Sequence, residues 1–197
     1  MSRGVRLSAG RLKGRLLPVP AGARPTGSRV REALFDVLGP RVCGCAFADL
    51  FAGSGAVGLE AWSRGARRVV LVEGERKAAE ALRRTVARLG APGVRVLRAK
   101  LPSQLTRCHG LAEGGFDVVF ADPPYRFGRH GRLLEGAATL LLAGGVVVLE
   151  HAEGESVPDS VSGLRRTSSR RYGESALTFY EAVPEASPAG DPSASRK

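Results

Sequence analysis

Apolar residues recur along this chain with two different periods. Over residues 29–39 they fall at Val30, Ala33, Leu34, Val37 and Leu38, the spacing of one helical face, with Arg29, Arg31, Glu32 and Asp36 off that stripe and Ser28 placed to cap it. Before this helix, residues 5–20 alternate short apolar pairs with Arg, Lys and Gly. Prolines at positions 18, 20 and 25 exclude helix there, so the segment reads as a strand or hairpin arm. From Ala46 the pattern becomes strand, glycine loop, helix, strand. It predicts strands at 47–51, 68–72, 94–97, 117–121 and 146–150, with helices running to Arg64 and over 77–89. Such alternation implies a mostly parallel sheet covered by helices on both faces. Two further strand-like runs within 164–183, joined through Tyr172-Gly173, predict a closing antiparallel hairpin. The fold class expected is therefore α/β and Rossmann-like, divided into a basic arm and helix (1–41), a main domain (42–183) and a disordered tail (184–197) that has no bulky apolar residue.

Charge narrows the partners. The 197 residues carry 30 Lys+Arg against 19 Asp+Glu, a net charge of +11, which favours polyanions. Residues 1–41 hold nine basic residues and two acidic ones, so the amino terminus reads as the polyanion-facing end. Three cysteines, two of them in Cys43-Gly44-Cys45, fit neither disulfide pairs nor zinc spacing. A reducing, cytoplasmic location and a monomer are expected. No apolar run approaches membrane-spanning length.

The segment Asp49-Leu-Phe-Ala-Gly53-Ser-Gly55-Ala-Val-Gly58 lies where the first parallel strand turns into its helix. Glycines at this turn let a ligand lie against backbone amides. Glu73, ending the second strand, is placed to accept hydrogen bonds from a ribose diol. Both features suit NAD and S-adenosylmethionine alike. Two residues favour the second ligand: Asp49 can meet a cationic amino acid moiety, and the bulk of Phe51 occupies space that a pyrophosphate would need.

Asp122-Pro123-Pro124-Tyr125 follows an apolar strand and so sits at the carboxyl edge of the sheet, where open α/β folds bind ligands. An exocyclic amine on a base is a poor nucleophile because its lone pair is delocalised into the ring. The Asp122 carboxylate and the Pro123 carbonyl can accept its two hydrogens and turn the lone pair outward. The prolines hold that loop rigid, and Tyr125 offers a stacking face. A base inside a stacked duplex could not reach such a pocket, so the target is single-stranded or flipped out.

These residues resemble the bacterial small-subunit (16S) ribosomal RNA guanine-N2 methyltransferases of the RsmD type. The resemblance extends to 10–20, to the segment 24–35 that begins Arg-Pro-Thr, to 58–65 and to Arg171-Tyr-Gly173. It implies a seven-stranded class I methyltransferase sheet, S-adenosylmethionine as cofactor, and methylation of a guanine N2 in small-subunit RNA or the 30S particle. Asp122 and Tyr125 match the target-base motif, Gly53 and Gly55 the cofactor loop, Glu73 the ribose-binding acid; Asp49, Phe51 and Asp122 are also expected at the cofactor. Arg11, Lys13, Arg15, Arg24 and Arg29 would face RNA. One position departs: Arg98-Ala-Lys100-Leu-Pro stands where methyltransferases often place an Asp or Asn against the adenine, so side-chain recognition of that ring is not carried over.

Other constellations are weaker. His109, His130 and His151 have no ligand-like spacing, and no metal is expected. Trp62 is spaced for packing. Arg126, Arg129, His130 and Arg132 read either as phosphate clamps or as a solvated loop. The competing activities are adenine-N6 methylation of DNA or RNA, an NAD-dependent oxidoreductase, and a catalytically silent RNA-binding protein.

Overall fold

The computed structural model describes residues 4–19, 27–112, 114–124 and 127–183. Arg24, Tyr125, Arg126 and the 184–197 tail, all named above, lie outside the described residues.

The chain opens with a small antiparallel hairpin, β1 (Gly4–Arg6) and β2 (Leu16–Pro18), paired Val5 to Leu17. Helix α1 (Ser28–Leu38) follows. Then come β3 (Ala46–Asp49), α2 (Ala56–Ser63), β4 (Arg68–Glu73), α3 (Arg76–Leu89) and β5 (Val94–Arg98). A short α4 (His109–Ala112), β6 (Phe116–Ala121), α5 (His130–Ala138), β7 (Leu141–Ala152), β8 (Ser160–Val161), β9 (Leu164–Tyr172) and β10 (Ser175–Ala182) complete it.

Strands β3 to β10 form one sheet in the order β5-β4-β3-β6-β7-β10-β9-β8. The first five of these run parallel, and β10 inserts antiparallel between β7 and β9. This is the seven-stranded sheet expected, with the two-residue β8 added at its edge. The order reverses at β3, whose neighbours are β4 on one side and β6 on the other. The ligand crevice of an open α/β sheet therefore lies above the carboxyl ends of β3 and β6.

Two apolar layers cover the sheet. On one face Phe47, Val69, Leu71, Val118, Phe120, Val146 and Val148 pack with residues of α1, α2, α3 and the arm. On the other, Val70, Val72, Val119, Val147 and Leu149 pack under Leu133, Leu134 and Ala137 of α5. Helix α5 was not foreseen, because two glycines within nine residues lower its helix propensity. It places His130 inside the fold, 6 % exposed, rather than in a solvated loop.

Helix α1 also departs from expectation. It starts at Ser28 with Gly27 as its cap residue and no side-chain cap. Its buried positions are Val30, Arg31, Leu34, Phe35 and Leu38, so the inward face is rotated to include an arginine. Arg31 donates to the Arg6 carbonyl at 2.9 Å and its Nε lies 3.9 Å from the Glu60 carboxylate. Burial pushes the Arg31 pKa down, while Glu60 opposes that shift.

Glu60, fully enclosed on α2, ties the arm to the main domain. Its two oxygens accept from the Ser8 amide (2.9 Å), the Ser8 hydroxyl (2.8 Å), the Ala9 amide (3.0 Å) and Arg64 Nε (3.0 Å). One turn further along, Ser63 Oγ accepts from the Leu12 amide and donates to the Ala9 carbonyl. Gly10 meets α2 so closely that a Cβ there would stand 1.8 Å from the Ser63 carbonyl oxygen. Leu7, Leu12 and Leu17 of the arm are buried in the same cluster as the sheet residues. The arm is thus part of one core.

Candidate active site

Four carboxylates stand on one face of the sheet near the carboxyl ends of four adjacent strands. Glu73 ends β4, Asp49 ends β3, Asp122 follows β6 and Glu150 lies near the end of β7. Each continues the alternation of residues in the apolar layer that carries α1, α2 and α3: Val69 and Leu71 before Glu73, Phe47 before Asp49, Val118 and Phe120 before Asp122, Val146 and Val148 before Glu150. Asp49 pairs in register with Leu71 and Phe120, so it sits one pleat deeper than Glu73 and Asp122.

That depth sets its chemistry. Asp49 is 1 % exposed and accepts the Gly58 amide at 3.0 Å. Burial pushes its pKa up to about 7, against the Gly58 hydrogen bond, with the nearby charges of Asp122 and Glu73 adding to the rise. It does not line the cavity above it, so the structure places it beneath the glycine loop.

The loop itself is shaped by local backbone. Gly55 caps α2 in the left-handed region (φ 77°) and a Cβ there would also meet Leu82 at 2.7 Å, so a side chain is doubly disfavoured. Gly53 turns its amide onto the Glu73 carboxylate at 3.0 Å, and the other oxygen of Glu73 accepts the Glu75 amide at 2.8 Å. Glu73 holds the loop as well as facing the cavity.

One cavity of about 960 Å³ runs across this edge. Its first half is walled by Phe51, Gly53, Glu73, Gly74, Lys100 and Phe127; its second by Asp122, Pro123, Glu150, His151, Tyr172 and Ser175. Asp122 follows β6, which lies between β3 on the first side and β7 on the second. Phe51 lies edge-on to Phe127 with ring centroids 5.6 Å apart. Ala99 and Leu101 add an apolar wall where the usual adenine-facing acid is missing. His130 and Glu155 also line the cavity; His130 Nδ1 lies 3.7 Å from the Glu155 carboxylate, and desolvation lowers its pKa. His151 Nε2 lies 2.8 Å from Thr178 Oγ1, which in turn lies 2.9 Å from Ser169 Oγ.

Of the expected RNA-facing residues, the four that are described do not line the cavity. Arg11, Lys13, Arg15 and Arg29 are exposed, with the Arg11 guanidinium 4.5 Å over the buried Trp62 ring. Gly27, the cap residue of α1, and Val30, next in sequence to the exposed Arg29, line the cavity. A second basic stretch, weaker in the sequence because it spans several elements, lies over residues 76–107, which hold nine basic residues and one acidic. It covers α3 and the edge strand β5, where Arg83, Arg84, Arg88, Arg95 and Arg98 are exposed. Counting charge by helix face would have found it. Among the described residues, no group of three or more His, Cys, Asp or Glu could hold a metal, and no helix is long and apolar enough to cross a membrane.

The strand order with its inserted antiparallel strand, the glycine turn after β3 and the acid ending β4 define a class I methyltransferase fold. The same fold is seen in precorrin-6y C5,15-methyltransferase from Geobacter metallireducens, 17% identical with a TM-score of 0.63 over 81% of this chain and 90% of that one. The chain belongs to the family described as conserved hypothetical protein 95, whose model matches residues 5–181. It is 42% identical over 141 residues to ribosomal RNA small subunit methyltransferase D of Escherichia coli K12, a match covering 70% of this chain and 66% of that protein. The match therefore spans just under two thirds of that relative's length. The solved structure of a hypothetical protein from Thermus thermophilus is 40% identical with a TM-score of 0.76, covering 90% of this chain and 99% of that one.

Proposed function

We propose that this protein transfers a methyl group from S-adenosylmethionine to the exocyclic N2 of a guanine in small-subunit ribosomal RNA. The observation that carries the reading is that Asp122 lines the cavity just after β6, the strand between β3 with its glycine turn and β7 with Glu150, so that a methyl donor on one side and an extrahelical base on the other would meet at its carboxylate.

The residues fit that donor. S-adenosylmethionine carries a sulfonium and an ammonium, and a row of carboxylates on one sheet face stabilises positive charge while repelling the pyrophosphate of a dinucleotide. When bound, it supplies an electrophilic methyl group. Glu73 would accept the ribose hydroxyls, since each carboxylate oxygen keeps acceptor capacity beyond its one amide partner. Gly53 leaves the backbone open to close approach. Phe51, Phe127, Ala99 and Leu101 offer apolar surface to the adenine. Asp49 would act through the loop, holding Gly58 at the start of α2 and lending negative charge from below.

On the other side, the Asp122 carboxylate and Pro123 carbonyl would accept the two amine hydrogens, which orients the nitrogen lone pair and stabilises the charge it gains during transfer. Asp122 would then be positioned to take the proton that the product nitrogen must lose. Arg11, Lys13, Arg15 and Arg29 on the arm and α1 would hold phosphates while the base enters. Tyr125 is proposed as the stacking face, and Arg24 as part of the basic side, on the family resemblance.

The test is methyl transfer from labelled S-adenosylmethionine to small ribosomal subunits taken from cells lacking this protein, followed by nucleoside analysis. Label recovered as N2-methylguanosine is expected. Recovery as N6-methyladenosine would overturn the base assignment, and no transfer to any RNA or DNA would overturn the activity.

A further inference from the structure

We propose that Glu150 is the specificity-determining residue of the base pocket, reading the N1–H of the target guanine beside the amine held by Asp122. This rests on the guanine-N2 reading above. Ala121 and Leu149 are register partners on the parallel strands β6 and β7, and Asp122 and Glu150 are the next residue on each. Both line the same cavity, and both extend the alternation of the same apolar layer. Neighbouring strands lie about 4.8 Å apart. Carboxylates carried on neighbouring strands can approach the same base edge, one accepting from the amine and the other from the adjacent ring N–H.

The environment of Glu150 sharpens the readout. It is 6 % exposed, lies across from Leu177 on β10, and shares the pocket wall with Tyr172 and Ser175. A carboxylate at that depth accepts hydrogen bonds and, when ionised, donates none. Guanine presents N1–H and the amine together on its Watson–Crick edge. Adenine presents a ring nitrogen lone pair beside its amine, which would face the carboxylate lone pairs in a desolvated pocket. A site built to hydrogen-bond one group rejects the analogue lacking it far more strongly than shape alone can. Asp122 therefore selects an exocyclic amine, and Glu150 selects which purine bears it.

The experiment compares small-subunit particles reconstituted with guanine or with 2-aminopurine at the methylated position. 2-Aminopurine keeps the 2-amine but has a lone pair at N1. The unmodified protein is expected to prefer guanine by about 100-fold or more in kcat/KM. In E150Q, whose amide can donate to that lone pair, the preference should fall to below about 10-fold, and E150D should restore part of it. The S-adenosylmethionine dissociation constant, unaffected by base recognition, should stay within about 2-fold and so exclude a general loss of folding. An unchanged guanine preference in E150Q would overturn the role of Glu150 while leaving guanine-N2 methylation intact. Label found on adenine alone in the unmodified protein would overturn both.

Discussion

The Gly53 amide donates to the Glu73 carboxylate at 3.0 Å, joining the turn after β3 to the tip of β4 across the cofactor half of the cavity. One side chain thus serves both as loop anchor and as acceptor for the ligand. Glu73→Ala should weaken S-adenosylmethionine binding by about 10- to 100-fold, the size of a lost hydrogen bond to a charged group. Titration calorimetry measures it. An affinity within about 2-fold of the original, with the same circular dichroism spectrum, would remove Glu73 from the site.

Asp122→Ala should separate binding from chemistry. Loss of the acceptor is expected to cut kcat by about 100-fold or more, because a group that stabilises developing charge acts chiefly in the transition state. Cofactor affinity should change little. Single-turnover transfer to small subunits checks the first, and equilibrium binding the second. Retained turnover would sink the proposed mechanism.

Asp49 sets a pH dependence whose sign is definite. Its folded pKa, raised to about 7, lies above the unfolded value near 4, so folding favours the protonated form. Its contribution is fully present below about pH 4 and is lost as pH rises toward 7. Asp49→Asn, which keeps an oxygen for the Gly58 amide, should flatten the fall in urea midpoint between about pH 4 and 7. A bound cation nearby favours the ionised form, so S-adenosylmethionine affinity should rise with pH through about 7 in the original protein and less in the variant. Parallel stability curves for the two proteins would contradict this.

Glu60→Ala removes the acceptor shared by Ser8, Ala9 and Arg64 and leaves Arg31 buried without its carboxylate. Breaking a buried pair on one side destabilises by about 3–5 kcal/mol. Urea unfolding should show a loss of that order, and limited proteolysis should cut first within residues 4–18. An intact arm at unchanged stability would show that the apolar contacts of Leu7, Leu12 and Leu17 suffice.

The two basic stretches can be told apart by charge reversal. Exchanging Arg11, Lys13 and Arg15 for Glu should raise KM for the particle by about 10-fold or more and flatten its salt dependence, since each lost phosphate contact lowers the slope by about 0.7–0.9. The same change at Arg83, Arg84 and Arg88, on α3, which contributes no residue to the cavity lining, should move KM by less than about 3-fold. The reverse ranking would place RNA along α3 and β5 instead.

Much of this protein is legible from local pattern. The period of 3.6 predicted α1, the alternation of strands and glycine turns predicted the parallel sheet, and the segment 164–183 predicted the antiparallel pair that closes it. Glu73 and Asp122 could be placed at the carboxyl edge because each ends or follows an apolar strand, and strand ends in an open α/β sheet converge on one crevice. These are short-range signals: a few residues determine whether a backbone extends, coils or turns.

What the tertiary structure decided is which polar side chains are buried, and beside what. Arg31 reads as a solvent-facing helix residue until the arm, 25 residues away at Arg6, and α2, at Glu60, close over it. Glu150 reads as the end of a strand until the register of β6 against β7 sets it beside Asp122. Asp49 reads as a ligand-facing acid, yet the one-pleat offset from its neighbours puts it under the loop. In each case the deciding partner is distant along the chain, and the cost of burying a charge depends on that partner rather than on the neighbours in sequence.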